Sequence, residues 1–318
     1  MLITLLILLI VLMLWIFGPR EPAELKTSFD ESILGSDLDC YLRNTEAELP
    51  DIVAGTQKRI VWHGARNEST PISIVYLHGF SANSEEIRPA PEQLAQLLGA
   101  NLYYSRLTGH GRTGAAMAEA TVADWMRDTS EALAIAKRIG DNVIILSTST
   151  GGTLTAAAAC DPFLSKKVAG MVFISPNFGV NNPAALLLTW PFARIWIPLL
   201  FGRERHIEPL NPQHAKFWTN IYPTVAALPM AALVQKVVSN NFTDVKVPAL
   251  FIMSEKDQVV RPEMIEKISE RWGGKKEVFK ILPGCRDDTK AHVLAGDILS
   301  PGLTDKVVEK MFEWIKKL

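Results

Sequence analysis

The chain has 318 residues, 48% of them hydrophobic and 21% charged, and its 33 Lys+Arg against 34 Asp+Glu leave a formal net charge of −1. Balanced charge removes the broad basic surface that a nucleic-acid backbone requires, and this much apolar content excludes a disordered chain. The three cysteines, Cys40, Cys160 and Cys285, are odd in number and far apart, which fits neither a disulfide scaffold nor a zinc site. A mean hydropathy of +0.12 is nevertheless high, and the surplus is concentrated in two places.

The first is Met1 to Phe17, where Thr4 is the only residue that is not apolar and Gly18-Pro19 closes the run. As a helix it would be about 25 Å long at about 1.5 Å per residue, slightly short of a hydrocarbon core of about 30 Å. Residues 1–19 are therefore expected to form an uncleaved, single-pass transmembrane anchor. A cleaved signal peptide would carry a basic residue before the run and small residues at the cut, and neither is seen. A buried core helix would show a polar face. Arg20 and Lys26 beyond the run lean toward a globular domain on the cytoplasmic side, as do the unpaired cysteines.

Residues 20–57 are polar and mixed in charge, and read as a linker that becomes the start of the globular domain, with Tyr41-Leu42 packing on it. From Arg59 onward apolar runs alternate with helical patterns, the mark of βα units on a largely parallel sheet. Strands are expected at 59–63, 72–77, 102–106, 142–148, 169–174, 248–254 and 277–282. Several, such as Ile72 to Leu77 and Val143 to Leu146, are nearly unbroken apolar runs, as expected of a sheet covered on both faces. Helices are expected at 90–98, 122–139, 151–160, 261–272 and 304–317, the last from its apolar stripe Val307, Val308, Met311, Phe312 and Ile315. The body is thus 58–175 and 248–318, interrupted by 176–247, a stretch too long for a loop that reads as an inserted helical subdomain. Within it Ala184 to Phe201 holds the second apolar surplus. Pro191, Arg194 and Pro198 argue against a membrane span there. Either this segment packs on its own core, or part of its face is exposed and lines an acyl pocket or touches lipid.

Four segments carry chemistry. Val143 to Leu146 runs straight into Ser147-Thr148-Ser149-Thr150-Gly151-Gly152 and then into a helix of small residues. A strand-to-helix turn of this kind projects Ser149 from the sheet end as a nucleophile and requires small neighbours two positions away on each side. Gly151 meets the requirement, and Ser147 stands where the usual pattern has glycine. Val75 to Leu77 ends in His78-Gly79-Phe80, whose Phe80 N–H, together with Thr150 N–H, is placed to form an oxyanion hole. Asp257 follows the strand at 248–254, and His292 follows the strand at 277–282. The chain order Ser149, Asp257, His292 is the one an α/β-hydrolase requires, with His292 as the base and Asp257 fixing its tautomer. Asp287 and Asp288 are the alternative partners for His292, but Asp257 reaches the distal ring nitrogen from a separate loop. His78 is read as a brace for the oxyanion loop and His110, between glycines, as shaping its own loop. Neither a metal site nor a cofactor is called for, and no phosphate-cradling glycine loop is present.

Through His78-Gly79-Phe80, Gly109-His110-Gly111, Ser149-Thr150-Gly151, Asp257 and His292, residues 58 to 318 resemble the serine hydrolases of the α/β-hydrolase superfamily, and among them the monoacylglycerol lipase and carboxylesterase-like group. The resemblance implies an α/β fold with a mostly parallel sheet flanked by helices, with 176–247 as a helical cap over an acyl pocket. It also implies hydrolysis of carboxylic esters with apolar acyl chains, by way of an acyl-enzyme. An amidase, peptidase or acyltransferase would use the same triad and oxyanion hole, and a non-catalytic, membrane-tethered binding module would use the fold alone.

Overall fold

The computed structural model describes residues 2–318, apart from the side chains of Ile7, Ile10 and Val11. In chain order the elements are α1 (Leu2–Phe17), α2 (Leu38–Ala47), β1 (Arg59–Val61), β2 (Thr70–Leu77), α3 (Ala90–Leu98), β3 (Asn101–Tyr104), α4 (Gly114–Met117), α5 (Val122–Ile139), β4 (Gly140–Thr148), α6 (Thr150–Ala159) and β5 (Val168–Ile174). The interrupting segment contributes α7 (Ala193–Phe201), β6 (Glu204–His206), α8 (Pro212–Phe217), β7 (Ile221–Pro223) and α9 (Ala227–Val238). The body resumes with β8 (Ala249–Met253), α10 (Pro262–Arg271), β9 (Lys276–Lys280) and α11 (Thr304–Ile315).

The seven strands expected from the apolar runs form one sheet in the order β1-β3-β2-β4-β5-β8-β9. Only β1 is antiparallel to its neighbour, and every other pairing is parallel. Because side chains alternate across a strand, β2, β4 and β5 feed two separate cores. Val75, Leu77, Ile145 and Phe173 join α5, α6, α9 and α10 on one face, whereas Ile74, Tyr76, Ile144, Leu146 and Val172 join α3 and α11 on the other. Burial on both faces is why these strands read as continuous rather than alternating runs. The carboxyl ends of β2, β4, β8 and β9 consequently open toward one edge of the molecule, where the interrupting segment lies.

Residues 20–57 are built into the body. Leu34, Leu38 and Leu42 are buried in the first core, and the Tyr41 hydroxyl donates to Glu131 at 2.7 Å. Arg106 grips Glu46 through Nε at 3.0 Å and Nη2 at 2.7 Å, a bidentate pair sealed from solvent. That carboxyl is held below its ordinary range, burial opposing and the Arg106 hydrogen bond and charge prevailing.

Residues 176–247 are not wholly helical. β6 and β7 pair as a short antiparallel ribbon, Arg205 opposite Tyr222. Three-residue strands give no measurable alternation, and β6 is exposed throughout, so no apolar signal marks it. α7 has one packed face and one exposed face. Ala193 and Ile197 pack with Leu228 in a small core of their own, and Ile195, Leu199 and Leu200 face outward.

The N-terminal run requires a correction. Among the described residues no helix is long and apolar enough to cross a membrane. α1 has 16 residues, which at about 1.5 Å each is about 24 Å, short of a hydrocarbon core of about 30 Å. It stops where Gly18 N–H bonds Leu14 O at 2.9 Å and Arg20 Nη2 bonds Trp15 O at 2.7 Å. The transmembrane anchor expected of residues 1–19, and the membrane localisation and sidedness drawn from it, are overturned; Met1 lies outside the described residues. The end of α1 packs instead on the interrupting segment. Trp15 meets Trp190 edge to face at 4.8 Å, Phe192 N–H bonds Pro19 O at 2.8 Å, and Arg194 clasps Glu21 at 2.6 and 2.7 Å.

Candidate active site

Ser149 sits in the turn between β4 and α6 with φ 50° and ψ −116°, a backbone conformation that a residue with a Cβ holds only when its surroundings force it. Those surroundings are visible. A Cβ on Gly151 would lie 2.1 Å from Leu77 O, and one on Gly152 would lie 2.6 Å from Pro176 Cβ, so α6 presses closely on the end of β2 and on the loop after β5. Ser147, the departure from glycine two residues earlier, is accommodated because its hydroxyl points into the sheet and donates to Val172 O at 3.0 Å.

The acid and the histidine come together. His292 Nδ1 lies 2.8 Å from Asp257 Oδ2, and the other carboxylate oxygen accepts Val259 N–H at 2.8 Å and Val260 N–H at 2.9 Å. Asp257 therefore cannot swing away, and the proton on the histidine is assigned to Nδ1, which leaves Nε2 as the acceptor. Burial by itself pushes the His292 imidazole down. The Asp257 charge and hydrogen bond, with further negative charge from Glu86 and Asp288, more than reverse this and raise it above its ordinary 6.5. Asp288 has a different task from the one weighed for it. It accepts the backbone N–H groups of Lys290, His292 and Val293 at 2.9 to 3.0 Å and so shapes the loop that carries the histidine. Asp287 likewise holds Gly284 and Gly302 N–H, not the ring.

Ser149, Thr150, Phe80 and His292 all border one cavity of about 360 Å³. Among the described residues Ser149 Oγ makes no hydrogen bond to the His292 ring. Such contacts commonly tighten only when substrate is bound. Phe80 N–H and Thr150 N–H donate to no protein acceptor among the described residues, so both are free to face the cavity. His78 braces the loop as expected: Nδ1 bonds Gly79 O at 2.9 Å and Nε2 accepts Leu107 N–H at 3.0 Å, which requires a neutral ring. Burial holds it well below the ordinary histidine range. His110, held by burial at about 4, packs its ring against His78, Phe80 and Trp125. The two glycines beside it take positive φ, 82° at Gly109 and 62° at Gly111.

The rest of the cavity is mainly apolar and comes largely from the interrupting segment: Leu188, Ile197, Phe201, Tyr222, Ala227 and Met230, with Val180 and Val260 from the loops after β5 and β8. Sequence reasoning missed Glu86 and Tyr76, which border or support this site. An acidic residue in a loop and a tyrosine inside an apolar strand carry no motif that would single them out.

A parallel sheet of this strand order, with the serine turn after the central strand and the acid and histidine on loops after the last two, defines an α/β-hydrolase. Within that class, residues 69–289 match the Hydrolase_4 family, described as serine aminopeptidase S33. The chain belongs to this family of serine hydrolases. The thermostable monoacylglycerol lipase of Bacillus sp. (strain H-257) is 27% identical over 202 residues, covering 61% of this chain and 74% of that protein. Among solved structures, a metagenome-derived lipolytic enzyme of the LipS and LipT pair superposes with a TM-score of 0.65 at 22% identity, covering 84% of this chain and 100% of the other. A soluble variant of monoglyceride lipase from Saccharomyces cerevisiae, in complex with a substrate analogue, gives 0.61 at 13% identity, covering 82% and 91%. At these identities the structural likeness speaks for the fold.

Proposed function

We propose that the protein hydrolyses carboxylic esters with apolar acyl chains, monoacylglycerol-like or similar, through an acyl-enzyme on Ser149. The observation that carries the proposal is the Asp257–His292 hydrogen bond of 2.8 Å at the border of a mainly apolar cavity that Ser149 also lines. His292 Nε2 takes the Ser149 proton as Oγ attacks the ester carbonyl, and Asp257 stabilises the imidazolium that results. The oxyanion forms between Phe80 N–H and Thr150 N–H, at the positive end of α6. The same imidazolium then protonates the departing alcohol, and water, deprotonated by His292, releases the acid. Residues 176–247 act as a cap whose Leu188, Ile197 and Phe201 receive the acyl chain. The lipase and lipolytic descriptions of the relatives agree with this reading.

The family description favours one second reading, cleavage of an amide at a peptide amino terminus. Glu208 in the lining is an acidic group able to meet a charged ammonium, but Glu86 and Asp288 are held by loop N–H groups and the rest of the lining is mainly apolar, which weighs for the ester. The test is turnover of p-nitrophenyl esters from acetate to palmitate, set beside aminoacyl p-nitroanilides, by the full chain. Ester turnover that rises with chain length and disappears in Ser149→Ala is expected. Anilide turnover exceeding ester turnover would replace the ester reading with the peptidase one.

A further inference from the structure

Glu86 lies beyond the oxyanion loop, and its side chain folds back beneath it, 3% exposed. Oε2 accepts Gly79 N–H at 2.8 Å and is 2.7 Å from the Tyr76 hydroxyl. The Tyr76 hydroxyl is in turn 3.1 Å from Thr148 Oγ1, and Thr148 immediately precedes Ser149. Tyr76 and Thr148 are completely buried. One unbroken chain of hydrogen bonds thus joins the loop that carries Phe80 N–H to the strand end that carries Ser149 and Thr150 N–H.

We propose that Glu86 is a positioning residue that fixes the spacing between the two halves of the oxyanion hole, through Gly79 N–H on one side and the Tyr76 hydroxyl on the other. The inference rests on the proposed roles of Phe80, Thr150 and Ser149. Three observations support it. Glu85 next door is spent on Arg59 and Arg88, whereas Glu86 takes part in no ion pair among the described residues. A buried carboxyl without a cation is costly, and its polar bonds go to the site loops instead. The packing is also tight there, since a Cβ on Gly79 would lie 2.6 Å from Glu86 Oε1 and 3.2 Å from Ser149 Cβ. Lastly, burial raises the Glu86 carboxyl above its usual range, yet Oε2 can accept both bonds whether or not Oε1 carries a proton. The role therefore needs an acceptor and not a charge.

An oxyanion donor acts only within a few tenths of an ångström of its ideal distance, so a loop released by about 1 Å costs about 10²-fold in rate. The test is steady-state kinetics of the full chain on p-nitrophenyl butyrate. In Glu86→Ala, kcat is expected to fall about 10²-fold with KM within about threefold of wild type. Glu86→Gln, which keeps the acceptor, is expected to stay within about fivefold, and Tyr76→Phe to fall about tenfold. Equal losses in Glu86→Ala and Glu86→Gln would overturn the proposal, as would a Glu86→Ala variant that melts lower with kcat intact. Should Glu86→Ala fail to fold, wild-type kcat in Tyr76→Phe overturns it by itself. A wild type that is inactive and unlabelled at Ser149 removes the hydrolase reading beneath it, whereas an active wild type with a kcat indifferent to these substitutions removes this inference alone.

Discussion

The serine turn and the 176–247 segment face each other across one cavity, and they are held by opposite means. At the turn the backbone is pinned from several sides: Gly151 against Leu77 O, Ser147 on Val172 O, Asn177 N–H on Ser149 O at 2.9 Å, and a strained φ at the serine. Across the cavity a core of only Ala193, Ile197 and Leu228 carries α7, and Leu186 and Leu199 stand 70% and 74% exposed. Chemistry demands fixed distances, so the sheet end is over-determined. An acyl chain demands only apolar surface and volume, so the facing segment can be loosely built.

That contrast predicts steep losses on one side and graded ones on the other. The largest is Asp257→Asn, which keeps the shape but favours the wrong histidine tautomer; kcat should fall about 10⁴-fold with the melting temperature little changed. Gly151→Ala follows. With 2.1 Å available to Leu77 O, the turn must open, and both fluorophosphonate labelling and kcat should drop by at least about 10²-fold with a lower melting temperature. The pH profile sharpens the same side. Because His292 is raised above 6.5, and only its neutral form accepts the serine proton, kcat/KM should decline as pH falls, with a midpoint above 6.5. A midpoint below that value would contradict the Asp257 contact. On the facing side Ile197→Ala should lower kcat/KM for long acyl chains by about tenfold while leaving acetate within about twofold. The smallest effect on turnover belongs to Arg194→Ala, which takes a bidentate partner from Glu21, whose side chain is 3% exposed; kcat should be unchanged while denaturant unfolding loses about 2 kcal/mol.

Legibility in the sequence divides along the same line. The seven strands announced themselves because residues such as Ile144 and Ile145, on opposite faces, are both buried, and the order of Ser149, Asp257 and His292 along the chain already implied convergence at one sheet end. Glu86, Tyr76 and Thr148 were silent, since their role depends on which loops the fold brings together and not on any spacing along the chain. The Glu204–His206 and Ile221–Pro223 ribbon was silent for a different reason, being too short and too exposed to show a period. The run from Met1 to Phe17 misled, because uniform hydrophobicity is equally compatible with a 16-residue helix whose end packs Trp15 on Trp190.

The central claim is that Ser149 is the nucleophile, and the most direct measurement is mass spectrometry of the full chain after exposure to a fluorophosphonate ester. One adduct, mapped to the peptide containing Ser149, absent from Ser149→Ala and strongly slowed in His292→Ala, is the predicted result. A folded, esterase-active protein that takes no adduct, or takes it on Ser147 or another residue, would contradict the account.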